Sequence, residues 1–374
     1  MSEGQLAAWA TVAGLGASLF LPDRLIAWMG PASWVAALVG LAIATLWLLA
    51  AWTTGPAPAT PLRAAPSPGP VRGLVLVSGL LSALSLGLTL LLSIAHMSAI
   101  LHDTVLELTP IWALRLLTTL PLLYSLLLPP QVTAWTAQLW GWLLVPLLVF
   151  TSINYVRRGD WSSVVRLTME SVAHFARSPR AALGALILFS LPLALAWVWS
   201  QGPRAGRLPA LPRWSTVAMV VTTLVVALHT AVPVAYFGPA VVRTIRDPFF
   251  ATLAVTTVPG LGNPRAIYLS GPGWMVGLQM YGALMAHAAA GALQAAWGRP
   301  LPTMRAVVAA WLVAVAFIPL TEFARLELGP LAGLLLGLAS LSWLVARWAG
   351  PLLGREGSRR SPGPGPASGE AKAG

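Results

Sequence analysis

Long apolar stretches separated by short polar segments dominate this chain. No Asp, Glu, Lys or Arg occurs in residues 25–62, 116–156 or 266–298. A helix that crosses a bilayer needs roughly 20 apolar residues, so each of these gaps can hold at least one complete span. The pattern predicts an all-α polytopic membrane protein.

Ten apolar runs are interpreted as membrane spans, namely residues 6–28, 32–53, 73–101, 109–128, 132–153, 181–200, 214–236, 273–296, 305–320 and 331–348. A Pro-rich linker, residues 55–70, follows the second run. Residues 162–178 carry charges at helical spacing and predict an amphipathic helix at the membrane surface. Residues 238–272 are interpreted as a long loop. Residues 1–350 thus form a transmembrane domain, and residues 351–374 a disordered tail.

Composition excludes several classes of chemistry and of binding partner. Residues AVILMFWYC make up 57% of the chain and charged residues 9%, and cysteine is absent, which excludes disulfides and thiol chemistry. The net charge of +12 comes almost entirely from arginines in loops and in the tail, which favours membrane-facing electrostatics over nucleic-acid binding. Basic residues in the short loops and the tail predict that both termini are cytoplasmic.

No motif predicts an enzyme. The sequence has no paired-carboxylate, Ser/His/Asp or metal-ligand constellation with usable spacing, so no catalytic residue, metal or cofactor is expected. The carboxylates cluster at Asp103/Glu107, Asp160/Glu170, Asp247 and Glu322/Glu327, and none is expected deep in a span. His96, His229 and His287 lie in or near spans, where a structural, hydrogen-bonded role is expected for each.

Small residues interrupt the first apolar run at Gly14-Leu15-Gly16-Ala17-Ser18. Two glycines lower helix propensity and leave the backbone bare, so an unwound segment here could present N–H groups to a small solute. Interrupted helices of this kind hold substrates in secondary transporters. The alternative is that the small residues only allow close helix packing.

Two segments resemble the spore germinant receptor B subunits. The first is Gln5-Leu6 followed by residues 14–22, with Gly30 and Trp34 leading into the second run. The second is Leu106-Glu107-Leu108-Thr109-Pro110-Ile111-Trp112, although Glu107 stands where that family's element has its first proline. These subunits belong to the amino acid–polyamine–organocation superfamily. The resemblance implies two inverted five-helix repeats, about residues 1–155 and 160–350, with broken helices 1 and 6, as in LeuT-like transporters.

The resemblance also implies a site. Helix 1 would contribute Gly14, Gly16, Ala17 and Ser18, whose backbone N–H groups would hold a carboxylate. Helix 6 would contribute three further residues around the Pro192 kink, namely Gly184, Phe189 and Ser190. The acidic residue that the family often places in helix 6 is missing from this chain, and a plain proline kink is the alternative.

The implied function is that of a sensor subunit in the cell membrane or inner spore membrane. It would bind a small amino acid and pass the signal to an A-type subunit and a C-type lipoprotein subunit. A permease that carries the same ligand uses the same pocket, and a membrane scaffold with a vestigial pocket is the third alternative. Because no carboxylate or lysine is expected inside the spans, ligand binding is expected to change little between about pH 6 and 8, where only His normally titrates.

Overall fold

The computed structural model describes residues 1–53, 69–104, 106–165, 179–201, 213–256, 266–318, 320 and 322–359. Within these ranges the chain is helical and forms no strand. The helices are α1 (Glu3–Met29), α2 (Ser33–Thr53), α3 (Gly69–Thr104), α4 (Ile111–Leu127), α5 (Pro130–Arg158), α6 (Pro179–Ala185), a 3-10 turn (Leu186–Phe189), α7 (Ser190–Ser200), α8 (Arg213–Val242), α9 (Pro248–Val255), α10 (Ala266–Trp297), α11 (Leu301–Ala316) and α12 (Glu322–Arg359).

Six helical stretches in this part of the chain are long and apolar enough to cross a membrane: Glu3–Met29, Arg72–Thr104, Pro130–Arg158, Ala182–Ser200, Trp214–Val242 and Glu327–Val345. Shorter apolar helices accompany them in α2, α4 and α11. The protein is therefore an all-α integral membrane protein. Each of the ten predicted spans overlaps a helix, although the predicted span 305–320 extends past the end of α11 at Ala316. Ten crossings and the inverted repeat stay predictions.

Helix α1 lies at the centre of the bundle. It packs against α5, α8 and α10, and the share of its most apolar stretch that is buried, 78%, is the largest among the six long helices. A capping box between Ser2 and Gln5 begins the helix, and Gly30 ends it at φ 78°, a backbone conformation that glycine adopts without strain. Most side chains of α1 therefore point into the protein.

The predicted interruption of the first helix near Gly16 is wrong. Helix α1 is continuous from Glu3 to Met29, through both glycines and through Pro22. Close packing explains why: a Cβ at Gly16 would overlap the backbone of Gly277 in α10, and a Cβ at Gly14 would overlap the Thr222 side chain in α8. Neighbouring helices hold the backbone straight where isolated propensity would favour a break.

The sixth predicted span is interrupted, although only slightly. Helices α6 and α7 are joined by the 3-10 turn Leu186–Phe189, and all three lie in one continuous helical path. Pro192 has no N–H to donate to the carbonyl of Leu188, so the tighter turn falls where the α-helical ladder loses a bond. This segment is a local tightening and does not unwind the backbone.

Two further sequence predictions differ in part. The predicted loop 238–272 contains helix α9, and α8 and α10 extend into it from either side. Helix α12 continues through residues 351–359, which the sequence assigned to the disordered tail. Other predicted segments lie outside the described residues: the rest of the tail, residues 55–68 of the Pro-rich linker, and residues 166–178 of the predicted surface helix.

Candidate functional site

Four charged or ionisable side chains meet inside the bundle and form what we call the charged cluster: Asp23, Arg24, His96 and Asp247. Asp23 and Arg24 are neighbours in α1, His96 lies in α3, and Asp247 immediately precedes α9. Arg24 Nη2 donates a 2.9 Å hydrogen bond to Asp247 Oδ1 and lies 3.1 Å from His96 Nδ1. Residues far apart in sequence thus share one polar centre.

The hydrogen bonds also fix the state of His96. A guanidinium can only donate, so Nδ1 of His96 accepts from Arg24 and the imidazole proton sits on Nε2. Nε2 faces Asp23 Oδ2 at 3.5 Å. The other oxygen of Asp23, Oδ1, accepts a 2.7 Å hydrogen bond from the backbone N–H of Phe249, which ties the start of α9 to α1.

Burial makes this cluster unusual. The side chains of Asp23, Arg24 and His96 are 0%, 2% and 1% exposed, and that of Asp247 is 13% exposed. Removing a charge from water costs several kcal/mol even after relaxation, so charged groups inside membrane proteins usually serve a ligand or ion path. The charged cluster is therefore the candidate functional site.

A line of alternating charges connects the cluster with the protein surface. Arg246 Nε lies 3.8 Å from Asp247 Oδ2, and Arg246 Nη1 lies 2.9 Å from Asp103 Oδ2. Arg246 and Asp103 are both exposed, at 45% and 41%. Polar side chains thus continue without a gap from the exposed end of α3 to the buried end of α1.

The cluster resembles a metal site only in part. One ligand atom each from Asp23, His96 and Asp247 lie within 4.8 Å of one another, a spacing that could suit a cation. However, Arg24 Nη2 already occupies the space between Asp247 Oδ1 and His96 Nδ1. The arrangement is built around a guanidinium, and its chemistry is the recognition of complementary charges.

A second polar line runs past the middle of α1. His229 of α8 lies between two hydroxyls, with Nδ1 3.1 Å from Ser18 Oγ and Nε2 3.1 Å from Ser152 Oγ. Ser18 donates its own proton to the Leu15 carbonyl, so it accepts from His229 Nδ1–H, and Ser152 donates to Nε2. The Phe249 ring stacks on His229 at 4.5 Å between centroids, which joins this line to the charged cluster through α9.

Ser190 forms a third buried polar contact. Its hydroxyl lies 2.6 Å from the Tyr281 hydroxyl of α10, and both side chains are fully buried. The Phe20 ring lies between this pair and the charged cluster, 6.4 Å from the Tyr281 ring and 5.6 Å from the His96 ring. Ser18 and Ser190, both predicted from sequence, thus each take part in a separate buried polar contact in the interior of the bundle.

The other predicted site residues do not converge there. Gly14 abuts α8, Gly16 abuts α10, and Ala17 is fully buried in the helix core. In a continuous helix their backbone N–H groups are engaged in the helical ladder, so capture of a carboxylate by an unwound backbone has no structural basis here.

Gly184 and Phe189 lie away from this interior region. A Cβ at Gly184 would meet Trp28 at 3.1 Å, near the end of α1, and the Phe189 ring packs edge-on against Trp47 of α2. Whether any of the seven predicted residues contacts a ligand stays a prediction.

Sequence reasoning missed the residues that define the cluster. The expectation that no carboxylate lies deep in a span is wrong for Asp23, which is fully buried in α1. The signal was present: Asp23-Arg24 interrupts an otherwise apolar run directly after Pro22. The hydrogen-bonded part of the expectation for the histidines is confirmed, since His96 and His229 are hydrogen-bonded as described and His287 Nε2 lies 3.1 Å from the Ser125 carbonyl. Their purely structural role stays a prediction.

The Ser190–Tyr281 contact can be tested by a double-mutant cycle. We expect Ser190→Ala and Tyr281→Phe each to lower the free energy of unfolding by about 1–3 kcal/mol, because each leaves a buried hydroxyl without its partner. The double variant should lose less unfolding free energy than the sum of the two single losses. The difference, which is the coupling free energy, should be about 0.5–3 kcal/mol in unfolding experiments. Tyr124→Phe, at a position 67% exposed, is the control. Strict additivity would contradict the contact.

The fold and the site define the class of the protein as an all-α integral membrane protein with a buried charged cluster at its central helix. The chain matches no protein-family model and no curated protein.

Proposed function

We propose that the protein is a membrane-embedded subunit that binds a small amino acid in the interior of its helix bundle and acts as a nutrient sensor of the germinant-receptor B type. The observation that carries this proposal is the buried Arg24–Asp247 pair within the charged cluster. Ionisable groups inside a membrane bundle usually mark a ligand or ion path.

An amino acid carries the same two charges as this pair. Its α-carboxylate can replace Asp247 as the partner of the Arg24 guanidinium. Its α-ammonium can then pair with the Asp247 carboxylate that Arg24 no longer binds. The exchange leaves no charge of the pair unpartnered, which keeps the desolvation cost low. This chemistry favours zwitterions over simple acids or simple amines.

Access to the pair supports binding from one side of the membrane. Asp247 retains partial exposure, and Arg246 and Asp103 extend the charged line to the surface. Phe249 follows two residues after Asp247 and contacts both Asp23 and His229. A ligand that displaces Asp247 therefore moves the start of α9 and changes packing at the second polar line, which suits a sensor.

The receptor assignment within this proposal rests on two sequence segments, residues 5–34 and 106–112. In the fold, the second segment forms the turn that leads through Pro110 into α4. As a receptor subunit the protein would assemble with an A-type subunit and a C-type lipoprotein subunit. Co-expression followed by co-purification of the three chains tests this part.

Ligand binding is tested on the purified full-length chain with a panel of labelled amino acids. We expect saturable binding of at least one amino acid, and at least tenfold weaker binding of its des-amino and decarboxylated analogues, because each lacks one charge of the pair. Asp247→Asn should weaken binding by at least tenfold. Arg180→Gln, which removes an exposed ion pair with Glu327, should have no effect.

Two outcomes would overturn the proposal. Absence of binding by any amino acid to folded protein would remove the ligand class and favour the scaffold alternative. Uptake of the bound amino acid into proteoliposomes would keep the ligand class and replace the sensor by a carrier, a protein that alternates access around the same site.

A further inference from the structure

An apolar groove lies on the outer face of the bundle, between α3, α10 and α11. It has a volume of about 290 Å³. Leu84 and Gly87 line it from α3, Leu293 and Trp297 from α10, and Val307 and Trp311 from α11. The groove is separate from the charged cluster, from the polar line at His229 and from the Ser190–Tyr281 contact.

The groove opens toward the membrane side of these helices. Leu84, Trp297 and Val307 line it and remain exposed on the outer surface, at 54%, 49% and 40%. Residues 72–104 of α3 form one of the stretches long enough to cross a membrane. A groove in this position faces hydrocarbon rather than water, so an acyl chain is the occupant that its lining fits.

Two exposed arginines lie near one end of the groove. Gly79 of α3 lies against Ala292 and Ala296 of α10, so the start of α3 and the end of α10 lie at the same end of the bundle. Arg72 lies near the start of α3 and Arg299 follows α10, and both are exposed. The sequence has no Asp or Glu in residues 72–102 or 266–321 to balance them.

Trp297 marks the same end, and tryptophan is enriched where a helix leaves the hydrocarbon region. An apolar groove that ends near a tryptophan and two exposed arginines is complementary to one molecule with an apolar chain and a negatively charged head. We propose that this groove binds one anionic phospholipid, with an acyl chain between α3, α10 and α11 and the phosphate beside Arg72 and Arg299. The inference goes beyond the proposed function and does not depend on it.

The preference for charge is tested by native mass spectrometry of the delipidated full-length chain. It is titrated with dioleoyl phosphatidylglycerol or with dioleoyl phosphatidylcholine, which have the same chains. We expect one phosphatidylglycerol to bind with at least fivefold preference. Arg299→Gln should reduce that preference by roughly fivefold, the effect of one arginine at a membrane surface. Arg157→Gln, at an exposed arginine of α5, should leave it unchanged.

The position of the acyl chain is tested by filling the groove. The space beside Gly87 ends at Trp311, with 3.5 Å between a Cβ and Trp311 Cζ2, so Gly87→Leu places its side chain where the acyl chain would lie. This variant should lose binding of both lipids, and Ala83→Phe provides a second blocking variant if Gly87→Leu does not fold. Leu341→Phe, on an exposed face of α12, should bind as the unmodified chain does.

An independent readout is fluorescence quenching by phosphatidylglycerol with brominated chains. Quenching should fall when Trp311 is replaced by phenylalanine, because this ring would contact the bound chain. Equal affinity for the two lipids, or full binding by both blocking variants, would overturn the proposal. Equal response to oleic acid and to phosphatidylglycerol would replace the phospholipid by a free fatty acid and overturn it as well.

Discussion

Replacing Arg24 by glutamine is expected to lower the free energy of unfolding by about 3–5 kcal/mol, the usual cost of breaking a buried ion pair from one side. The guanidinium is 2% exposed and bonds Asp247 while Asp23 lies next to it in the chain. Its removal leaves Asp23 and Asp247 without the buried guanidinium, and only the exposed guanidinium of Arg246 stays beside Asp247 among the described residues. Chemical unfolding of the purified protein in mild detergent measures the loss.

Three companion variants make this test specific. Arg180→Gln breaks an ion pair whose partners are 52% and 46% exposed, so it should cost at most about 1 kcal/mol. Arg24→Lys keeps the positive charge but loses the planar set of N–H donors. Its loss of unfolding free energy should lie between those of Arg24→Gln and Arg180→Gln. Arg24→Gln combined with Asp247→Asn should recover part of the loss, because one unpaired charge disappears with its partner. Equal, small effects at Arg24 and Arg180 would show that the cluster is not buried as described.

Local sequence patterns predicted the helices well, because the requirement for a membrane-length apolar stretch is itself local. The runs at residues 73–101 and 132–153 each became a helix that extends a few residues beyond the predicted ends. The predicted ends fell short because apolarity marks the hydrocarbon region, whereas a helix continues until its backbone hydrogen bonds end. Thus α5 extends to Arg158, past the last apolar residue.

The charged cluster could not be assembled from local patterns. Asp247 is 223 residues away from Arg24, in a segment that sequence reasoning treated as a loop. His96 was expected to make a hydrogen bond, but nothing in the sequence specified its partner. The partners of His96 depend on tertiary packing, which brings α9 against α1 so that the Phe249 N–H donates to Asp23.

Helix α9 is the element that connects the two buried polar regions. Its preceding residue, Asp247, belongs to the charged cluster, and the Phe249 ring stacks on His229. The same residue contacts Asp23 through its backbone N–H. Because packed helices shift between discrete arrangements rather than deform continuously, we expect a change in the Arg24–Asp247 pair to alter the His229 environment.

Gly16 was expected to expose backbone to a ligand, and the structure gives it a different role. Gly16 and Gly277 bring α1 and α10 together with no side chain between them. A Cβ at Gly16 would overlap the Gly277 carbonyl, and one at Gly277 would lie 2.9 Å from the Gly16 nitrogen. Small residues at such crossings let membrane helices approach closely, and much of the helix association energy comes from that packing.

Gly16→Val is therefore expected to destabilise the fold by at least about 1–3 kcal/mol, the usual cost of overpacking, since the obstructing atoms are backbone and cannot rotate away. An unwound segment that presented its backbone to a ligand at Gly16 would instead give loss of ligand response with normal membrane expression. Expression level and unfolding in detergent distinguish the two. Gly4→Val is the matched control in the same helix, because nothing lies within 4 Å of its Cβ position. Gly277→Ala should reproduce part of the loss from the opposite side. Normal stability of Gly16→Val together with loss of amino-acid binding would contradict the packing role and restore the interrupted helix as the better description of α1.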